Sequence, residues 1–526
     1  MRERMSLVTE VEFAILILRI CSYASQFLPS PGYTLDKIRG VLLADIRNTC
    51  DETADSLAAI SIAADGRGSL SRIQHLVFLG LRCQIEGKTT AFWEVLSRAI
   101  RVAQSVGIHS GAARLRQGMD EADQEMGRRT FCNLYIWDSM LSRQLDRIAF
   151  LPGCLCPGNW PQLHLLGDGG GGGGASIEPG VDAPDPFTER LLQARLADFW
   201  RSVRPMQGAE YDMVLAEERY DKFCREYLSQ LPPAFALVDP DETWDKRLTK
   251  LPLQRQLLHI AIYDSLCWNF RPLLLRRLLP LPLPTYKRVL LGSQEKALAV
   301  AALQTLDGVT QLHALLGGCH TRFAGLVFLT FEAAVLLGYL YTDPLFPRDC
   351  SHQYVLPPGA LNTKTDPLQA GTRNVTRHGC VQAVQGALMR LQMLAEVSSM
   401  ADVGASTLTR LLSKASETGT GTGTETGTDE MTLGQNQEVG NIATTSSQLG
   451  ATSAAGEVAS WLSCDPADLS SMSDFMSMSA TSAVGDMAGW PSFNQLNMTS
   501  GDDFVSMSTT QDRQSNWAMP IMDFSH

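Results

Sequence analysis

The sequence of 526 residues has no excess of basic residues and no basic run. It contains 44 Lys and Arg against 56 Asp and Glu, which gives a net charge of −12. An acidic chain of this kind is repelled by phosphate backbones, so the composition argues against direct binding of nucleic acid. We therefore assign no DNA-binding residues.

The sequence also lacks the spacing of a metal site. Its 12 cysteines are scattered, C-x-x-C never occurs, and no Cys/His group has zinc spacing. His313 and His320 are seven residues apart, but Gly317 and Gly318 lie between them, so we interpret them as loop residues and assign no metal ligand. The scattered cysteines are typical of reduced and mostly buried thiols in the cytosol or nucleus.

Catalytic motifs are absent as well. Neither G-x-S-x-G nor H-E-x-x-H occurs. Gly87-Lys88-Thr89 resembles the end of a phosphate-binding loop, but Arg82 stands where that loop needs its first glycine. We interpret these three residues as a polar turn between two helices, and we expect no enzyme activity, no catalytic residue and no cofactor.

Two apolar runs resemble membrane signals. Residues 323–341 are about long enough to span a bilayer, but Glu332 at their centre carries an insertion penalty of roughly 2.5–3.5 kcal/mol. We predict a buried core helix in which Glu332 pairs with an arginine of a neighbouring helix. The N-terminal run follows Glu10 and Glu12 and is interrupted by Arg19, which argues against a secretory signal. We therefore expect no membrane partner.

Helical spacing dominates the remaining pattern. From Phe92 onward, one apolar stripe consists of Val95, Leu96, Ala99, Ile100, Ala103 and Val106. The opposite face carries Arg98, Arg101 and Gln104, and Gly107 is placed to end the helix in the left-handed conformation. Because no segment shows sustained alternation with period 2, we predict an all-α, multi-helix fold over residues 1–415.

A second strong helical pattern begins after acidic residues that suit the start of a helix. Its predicted buried stripe contains Met126, Phe131, Leu134, Trp137, Leu141 and Leu145. Glu125 and Arg129 are expected to form a pair worth a few tenths of a kcal/mol. Further helical patterns cover residues 187–204, 208–230, 253–279, 293–316 and 323–341, and a last one runs from 380 to about 417.

Changes in composition divide the chain into five parts. Residues 1–166 and 187–415 are predicted to be two halves of one helical region, and a flexible Gly-rich loop at 167–186 joins them. Residues 416–458 have too few apolar groups to offset their ordering entropy, so we predict a disordered linker. Residues 459–526 form an acidic and hydrophobic tail.

The tail interleaves bulky side chains with aspartates, which repel one another and keep the bulky groups solvated. Such a segment binds an apolar groove on a partner through short helices, which is typical of a transcriptional activation domain. The alternative is an ordinary disordered tail. The residues that we predict to contact a coactivator are Trp461, Leu462, Phe475, Trp490, Phe493, Phe504, Trp517 and Phe524.

Three segments of the helical region then match, in order, the motifs of one family. The segment at 96–111 contains the pattern A-x-R-x-A-Q, followed by Gly107 and His109. The second segment, 125–145, follows E-x-x-R-R-x-F with Glu125, Arg128, Arg129, Phe131, Leu134, Tyr135, Asp138, Leu141 and Ser142. The third, 257–275, has Leu258, His259, Tyr263, Arg271 and Pro272. Together they resemble the fungal-specific transcription factor domain, also called the middle homology region, over roughly 5–415.

The resemblance implies a nuclear transcription regulator with an all-helical regulatory domain. Members of the family usually carry an N-terminal zinc binuclear cluster, and this sequence contains none. We therefore expect either a DNA-binding partner or a homodimer, or a zinc cluster encoded upstream of Met1. We also expect coactivators bound to the tail and a small-molecule effector. Control of a secondary-metabolite gene cluster is implied by the resemblance alone. The alternative is a ligand-sensing or scaffolding helical protein without a role in transcription, and a more distant one is an enzyme hidden in the helical pocket.

Overall fold

The computed structural model describes residues 2–27, 37–110, 121–162, 183–203, 211–276, 284–318, 320–343, 345–347 and 366–419. Across these residues the chain forms helices and one short hairpin, in which β1 (Lys37–Ile38) pairs antiparallel with β2 (Val41–Leu42). The all-α fold class is therefore confirmed for the described part of the chain. The linker from residue 420, the whole tail and residues 163–182, which include most of the Gly-rich segment, lie outside the described residues.

The described helices fall into two groups in chain order. The first comprises α1 (Arg2–Ala24), α2 (Leu43–Ala64), α3 (Leu70–Ile85), α4 (Thr89–Val106) and α5 (Glu121–Gln144). The second comprises α6 (Thr188–Ser202), α7 (Met213–Glu226), α8 (Leu251–Phe270), α9 (Leu273–Arg276), α10 (Thr285–Leu315), α11 (Ala324–Thr342), α12 (Gln369–Thr372), α13 (Arg377–Ala395) and α14 (Ser399–Gly419).

Two hydrophobic cores correspond to these groups. The first core is built by α1, α3, α4 and α5 together with part of α6, and it includes Phe92, Leu96 and Leu134. The second core is built from α6 onward, with α8 packed along α10 and α11 packed against α10, α13 and α14. Helix α6 contributes residues to both cores, so it connects them.

Helix α4 has the predicted boundaries and the predicted faces. Its apolar stripe from Phe92 to Ala103 is buried, whereas Arg98, Arg101 and Gln104 are exposed. Gly107 follows with a φ of 90° and donates its N–H to the carbonyl of Ala103, which ends the helix as expected.

The Gly-Lys-Thr segment is a turn between α3 and α4, as predicted. Gly87 has a φ of 74°, a conformation that glycine adopts without steric cost. Lys88 directly precedes α4, and Thr89 is the first residue of that helix. The side chain of Lys88 binds Glu86 over 2.9 Å.

Helix α5 differs from its prediction. Every residue from Gly127 to Ser139 is buried, so the helix has no exposed face over three turns. Met126 and Leu145, placed in the buried stripe by their spacing, are only half-buried. The helix lies in the first core and also contacts α6, and its polar residues are covered by partners that are distant in sequence.

Helix α11 is the apolar segment predicted to be a core helix. It is long and apolar enough to cross a membrane by length and composition, and 56% of its most apolar window is buried inside the protein. Its neighbours α10, α13 and α14 provide that burial. The arrangement agrees with a core helix of the second group.

Several helix boundaries were predicted wrongly. Helix α10 begins at Thr285 and not at Ser293, because it continues through Gly292, which is buried against the core. Pro272 follows the end of α8 at Phe270, and the pattern predicted as one helix to 279 is divided there. The last predicted helix is two helices, α13 and α14, separated at residues 396–398.

The nine cysteines of the described residues are free thiols. Cys132, Cys224, Cys267 and Cys380 are buried, and burial raises the pKa of each. Cys21, Cys154 and Cys156 are exposed. The expectation of mostly buried thiols therefore holds for the middle and the end of the helical region better than for its start.

Candidate functional site

The second family motif builds a buried polar cluster around Glu125, which is fully buried. Its carboxylate accepts hydrogen bonds from Nε of Arg128 over 2.6 Å and from Nε of Arg129 over 2.9 Å. The backbone N–H of Gln162 donates to Glu125 over 3.0 Å, and Arg129 lies 3.6 Å from Asp185. The predicted i,i+4 pair of Glu125 and Arg129 is therefore present, but it is buried in a cluster that ties the start of α5 to the segment before α6.

The end of the same motif holds α6 and the loop after α5. Both carboxylate oxygens of Asp138 accept backbone N–H groups, from Phe150 over 3.0 Å and from Leu151 over 2.9 Å. Arg201 of α6 donates to Asp138 over 2.8 Å, and its guanidinium lies 4.4 Å above the ring of Tyr135. Asp138 and Arg201 therefore hold α6 and the loop after α5 in position, because the contacts described for them are all made within the protein.

The third family motif connects α8 with α11. Nη1 of Arg271 donates to Oε1 of Glu332 over 2.8 Å, which confirms the predicted pairing of Glu332 with an arginine of a neighbouring helix. The ring Nε2 of His259 lies 3.2 Å from the carbonyl oxygen of Phe235. Burial lowers the pKa of His259 to about 4.

A partly enclosed cavity of about 260 Å³ lies where the two cores meet. Its walls come from α1, α3, α5 and α6 on one side and from α8, α10 and α11 on the other. Most of the lining is apolar, with one large side chain from each of several helices: Leu81, Trp137, Leu196, Leu257, Leu312 and Phe328. The cavity has the composition of a small-molecule site, which is mostly apolar with a few polar groups.

Three charged side chains line this cavity: Arg143 of α5, Arg190 of α6 and Asp264 of α8. Arg190 is paired with Glu189 over 3.3 Å. Burial raises the pKa of Asp264, the neighbouring Glu332 raises it further, and Arg143 and Arg271 act in the opposite direction. Asp264 therefore binds a proton more readily than an ordinary aspartate does.

Arg143 is the cation of the cavity wall that forms no direct ion pair within the described part of the chain, although the carboxyl groups of Asp264 and Glu332 are near enough to act on its pKa. Its Nε reaches the carbonyl oxygen of Ser139 over 3.4 Å, while its Nη1 is buried without a hydrogen-bond partner. The guanidinium lies 5.8 Å from the ring of Trp268. Arg219 lies 5.3 Å from the same ring, and none of its three guanidinium nitrogens has a hydrogen-bond partner.

The sequence-predicted site residues lie elsewhere. Trp461 and the other predicted coactivator contacts of the tail lie outside the described residues. The prediction that both histidines are loop residues holds for His320, whose Nε2 lies 3.0 Å from Glu396, but it is wrong for His313, because α10 continues through it to Leu315. Among the residues that the structure describes, no group of three or more His, Cys, Asp or Glu side chains is placed to hold a metal ion.

Sequence reasoning missed the cavity and its charged groups. Asp264 could have been recognised from the sequence as a charged residue near the core, because it interrupts the apolar pattern of α8 directly after Tyr263 of the third motif. Arg143 carried a weaker signal, as a charged residue one turn after the buried Ser139. Neither signal shows that α5 and α8 approach one another, so the site could not be assembled from the motifs.

Comparison with known proteins gives matches to one class of protein. Residues 6–152 match the fungal specific transcription factor domain. Over 414 residues the chain is 45% identical to the transcription factor xilB of Penicillium rubens. The aligned residues make up 78% of this chain and 60% of that protein. Over 410 residues it is 38% identical to the probable transcription factor sol4 of Alternaria solani, which covers 76% of this chain and 70% of that protein.

The matches to these two relatives are far longer than the match to the domain, so they include residues well beyond the first core. The chain spans about three fifths of the length of xilB. No solved structure matches the chain.

Proposed function

Since this chain belongs to the family of proteins with a fungal specific transcription factor domain, we propose that it is a nuclear activator of transcription. The observation that carries this proposal is the extent of similarity to two proteins named as transcription factors. At 410 residues or more, each match is longer than either core alone. The structural roles of Glu125 and Asp138 support it, because the polar residues of the family motif hold the helices together.

The activating part of the protein is the tail, residues 459–526. It carries seven aspartates besides Asp465, against the single basic residue Arg513, and its bulky side chains recur among them. This composition favours the capture of short amphipathic segments by an apolar groove on a coactivator. Contact with DNA is supplied by a partner protein or by sequence beyond these 526 residues. The target genes are those of a biosynthetic cluster for a secondary metabolite.

A reporter assay tests the activating role. The full chain is fused to an unrelated DNA-binding domain and compared with the same fusion without residues 459–526. A further variant replaces Trp461, Phe475, Trp490 and Trp517 with alanine. We expect strong reporter expression from the full chain and loss to background in both altered fusions.

The matched control replaces four serines of the same segment with alanine, namely Ser463, Ser477, Ser492 and Ser515. It removes as many side chains without removing bulky apolar groups, so expression should stay at the level of the full chain. An inactive full-length fusion, or full activity after loss of the four aromatic groups, contradicts the proposal.

The second candidate is a ligand-sensing or scaffolding protein without a role in transcription. The cavity between the two cores favours ligand sensing, because its apolar walls and few charged groups suit a small molecule. Localisation distinguishes the two candidates. A fluorescently tagged chain that stays in the cytosol under every growth condition supports the second candidate, and a nuclear signal supports the first.

A further inference from the structure

The cavity joins two parts of the protein that have separate cores. Side chains of α3 and α5 belong to the first core, and those of α8, α10 and α11 belong to the second. A molecule in the cavity contacts Trp137 on one side and Leu257 or Phe328 on the other. Occupancy of this cavity therefore stabilises the approach of the two cores.

The lining determines most of the chemistry of such a molecule. Its walls are predominantly apolar, so the body of the ligand is apolar. The volume of about 260 Å³ lies near the lower end of the roughly 300–1,000 Å³ that is usual for small-molecule sites. The ligand is therefore compact, comparable to a medium-length acyl chain.

The charged groups determine its polar end. Arg143 lines the cavity without a direct ion pair among the described residues, and one of its terminal nitrogens is buried without a hydrogen-bond partner. A cation in a mostly apolar wall is costly unless it is paired, so the space beside the unbonded nitrogen of Arg143 suits an anion.

We propose that this cavity binds a small, largely apolar molecule that carries one carboxylate, and that the carboxylate pairs with Arg143. The inference goes beyond the role in transcription, because it concerns ligand binding by the helical region and is tested without a promoter. The planar guanidinium of Arg143 is suited to a carboxylate, with which it forms two parallel hydrogen bonds.

The other charged groups of the wall are compatible with an anion. Arg190 is a second cation, although it is already paired with Glu189. Asp264 is the carboxyl group that would oppose an anionic ligand, but burial and Glu332 raise its pKa, so it takes up a proton beside an anion more readily than an ordinary aspartate does. The wall therefore carries a net positive charge next to its apolar surface.

Isothermal titration calorimetry on the purified full-length protein tests the proposal with three probes of equal chain length: decanoate, 1-decanol and decylamine. We expect decanoate to bind with one site per chain and at least tenfold more tightly than 1-decanol, and decylamine not to bind. Equal affinity for decanoate and 1-decanol overturns the proposal, and so does the absence of decanoate binding to the folded protein.

Two variants locate the site. Arg143→Met keeps roughly the length of the side chain and removes its charge. We therefore expect the affinity for decanoate to fall at least tenfold and the affinity for 1-decanol to change by less than twofold. The matched control is Arg101→Met, which removes a charge from the exposed face of α4 and should leave both probes unchanged. If Arg143→Met lowers the affinity for decanoate and for 1-decanol equally, the proposed pairing of Arg143 with the carboxylate is overturned.

The second variant, Ala261→Phe, fills the cavity from α8 without changing its charge. It should abolish binding of decanoate and 1-decanol while circular dichroism shows unchanged helix content. Unchanged binding of decanoate to this folded variant places the probe elsewhere and overturns the proposal. Because the three probes are compared on the wild-type protein, the test stands even where one variant does not fold.

Discussion

Arg271, directly after α8, and Glu332, in the middle of α11, form an ion pair with 2.8 Å between Nη1 and Oε1. Glu332 stands in a helix that is otherwise almost entirely apolar. About a third of the Arg271 side chain is exposed, whereas Glu332 is half as exposed. The pair therefore lies at the edge of the second core, where the arginine keeps part of its hydration and the glutamate keeps less.

Removing Arg271 should destabilise the second core. Arg271→Met leaves the Glu332 carboxylate in mostly apolar surroundings without its partner. Because the site is partly open to water, we expect a loss of about 1–2 kcal/mol in the free energy of unfolding. Urea denaturation followed by circular dichroism measures it.

The double variant Arg271→Met with Glu332→Leu is the control for this pair. It removes both charges and leaves no unpaired group, so its stability should return to that of the wild type or exceed it. A double variant that is as unstable as the single one would show that packing of the Arg271 stem, and not its charge, stabilises the contact.

Residues of α4 show how much of the fold can be read from the sequence. The apolar stripe from Phe92 to Ala103 and the glycine after it predict the helix, its buried face and its end, because all three depend on local spacing. Helix α5 is different. Its polar residues face Asp185 and Arg201, which lie more than fifty residues away from their partners, so local spacing cannot show that they are buried.

The buried cluster around Glu125 leads to a second prediction. Glu125→Gln removes the negative charge between Arg128 and Arg129, and it leaves Arg128 without an anion and Arg129 with only the more distant Asp185. We expect a loss of about 3–5 kcal/mol in the free energy of unfolding, as for other broken buried ion pairs. The urea midpoint of the purified variant measures the loss.

The matched control is Glu94→Gln, the same chemical change at an exposed position of α4. Exposed substitutions usually change stability by less than about 0.5 kcal/mol. If both variants change stability to the same small extent, the cluster around Glu125 contributes no more than a surface pair, as local spacing alone would indicate.

Glycine substitutions in two helices should have opposite effects. A Cβ at Gly80 of α3 would lie 2.3 Å from the ring of Phe92, which is itself buried, whereas a Cβ at Gly386 of α13 meets no atom within 4 Å. We expect Gly80→Ala to lower the free energy of unfolding by about 1–3 kcal/mol through overpacking. Gly386→Ala should raise it by up to about 1 kcal/mol, because alanine favours the helix. Thermal unfolding checks both, and stabilisation by Gly80→Ala would show that the Phe92 ring moves easily.

The cavity illustrates the limit of sequence reasoning for the site. Its walls come from seven helices between α1 and α11, and no motif contains more than a small part of them. The charge of Arg143 is visible in the sequence, but whether it forms a direct ion pair depends on where α5 and α8 lie in the folded protein. The family motifs indicate the fold because they record local contacts, and they carry no signal for a space between two cores.

His75 of α3 is the described histidine with the largest consequence for acid stability. It is 4% exposed, and burial lowers its pKa to about 3, with Arg19, Arg72 and Arg98 acting in the same direction. In the unfolded chain its pKa is about 6.5. As the pH falls below about 6.5, the unfolded chain binds a proton that the folded protein does not bind, so the stability contributed by the neutral ring decreases until about pH 3.

Between pH 7 and pH 5 this linkage costs the wild-type protein about 2 kcal/mol. His75→Leu removes the titrating ring, so its stability should fall by about 2 kcal/mol less over the same interval, measured by urea denaturation at both pH values. The comparison of the two proteins is necessary because the raised pKa of Asp264 acts in the opposite direction in both of them. His109→Leu, at an exposed histidine, is the control substitution. Equal pH dependence of the wild type and His75→Leu would show that the ring is protonated without cost in the folded protein.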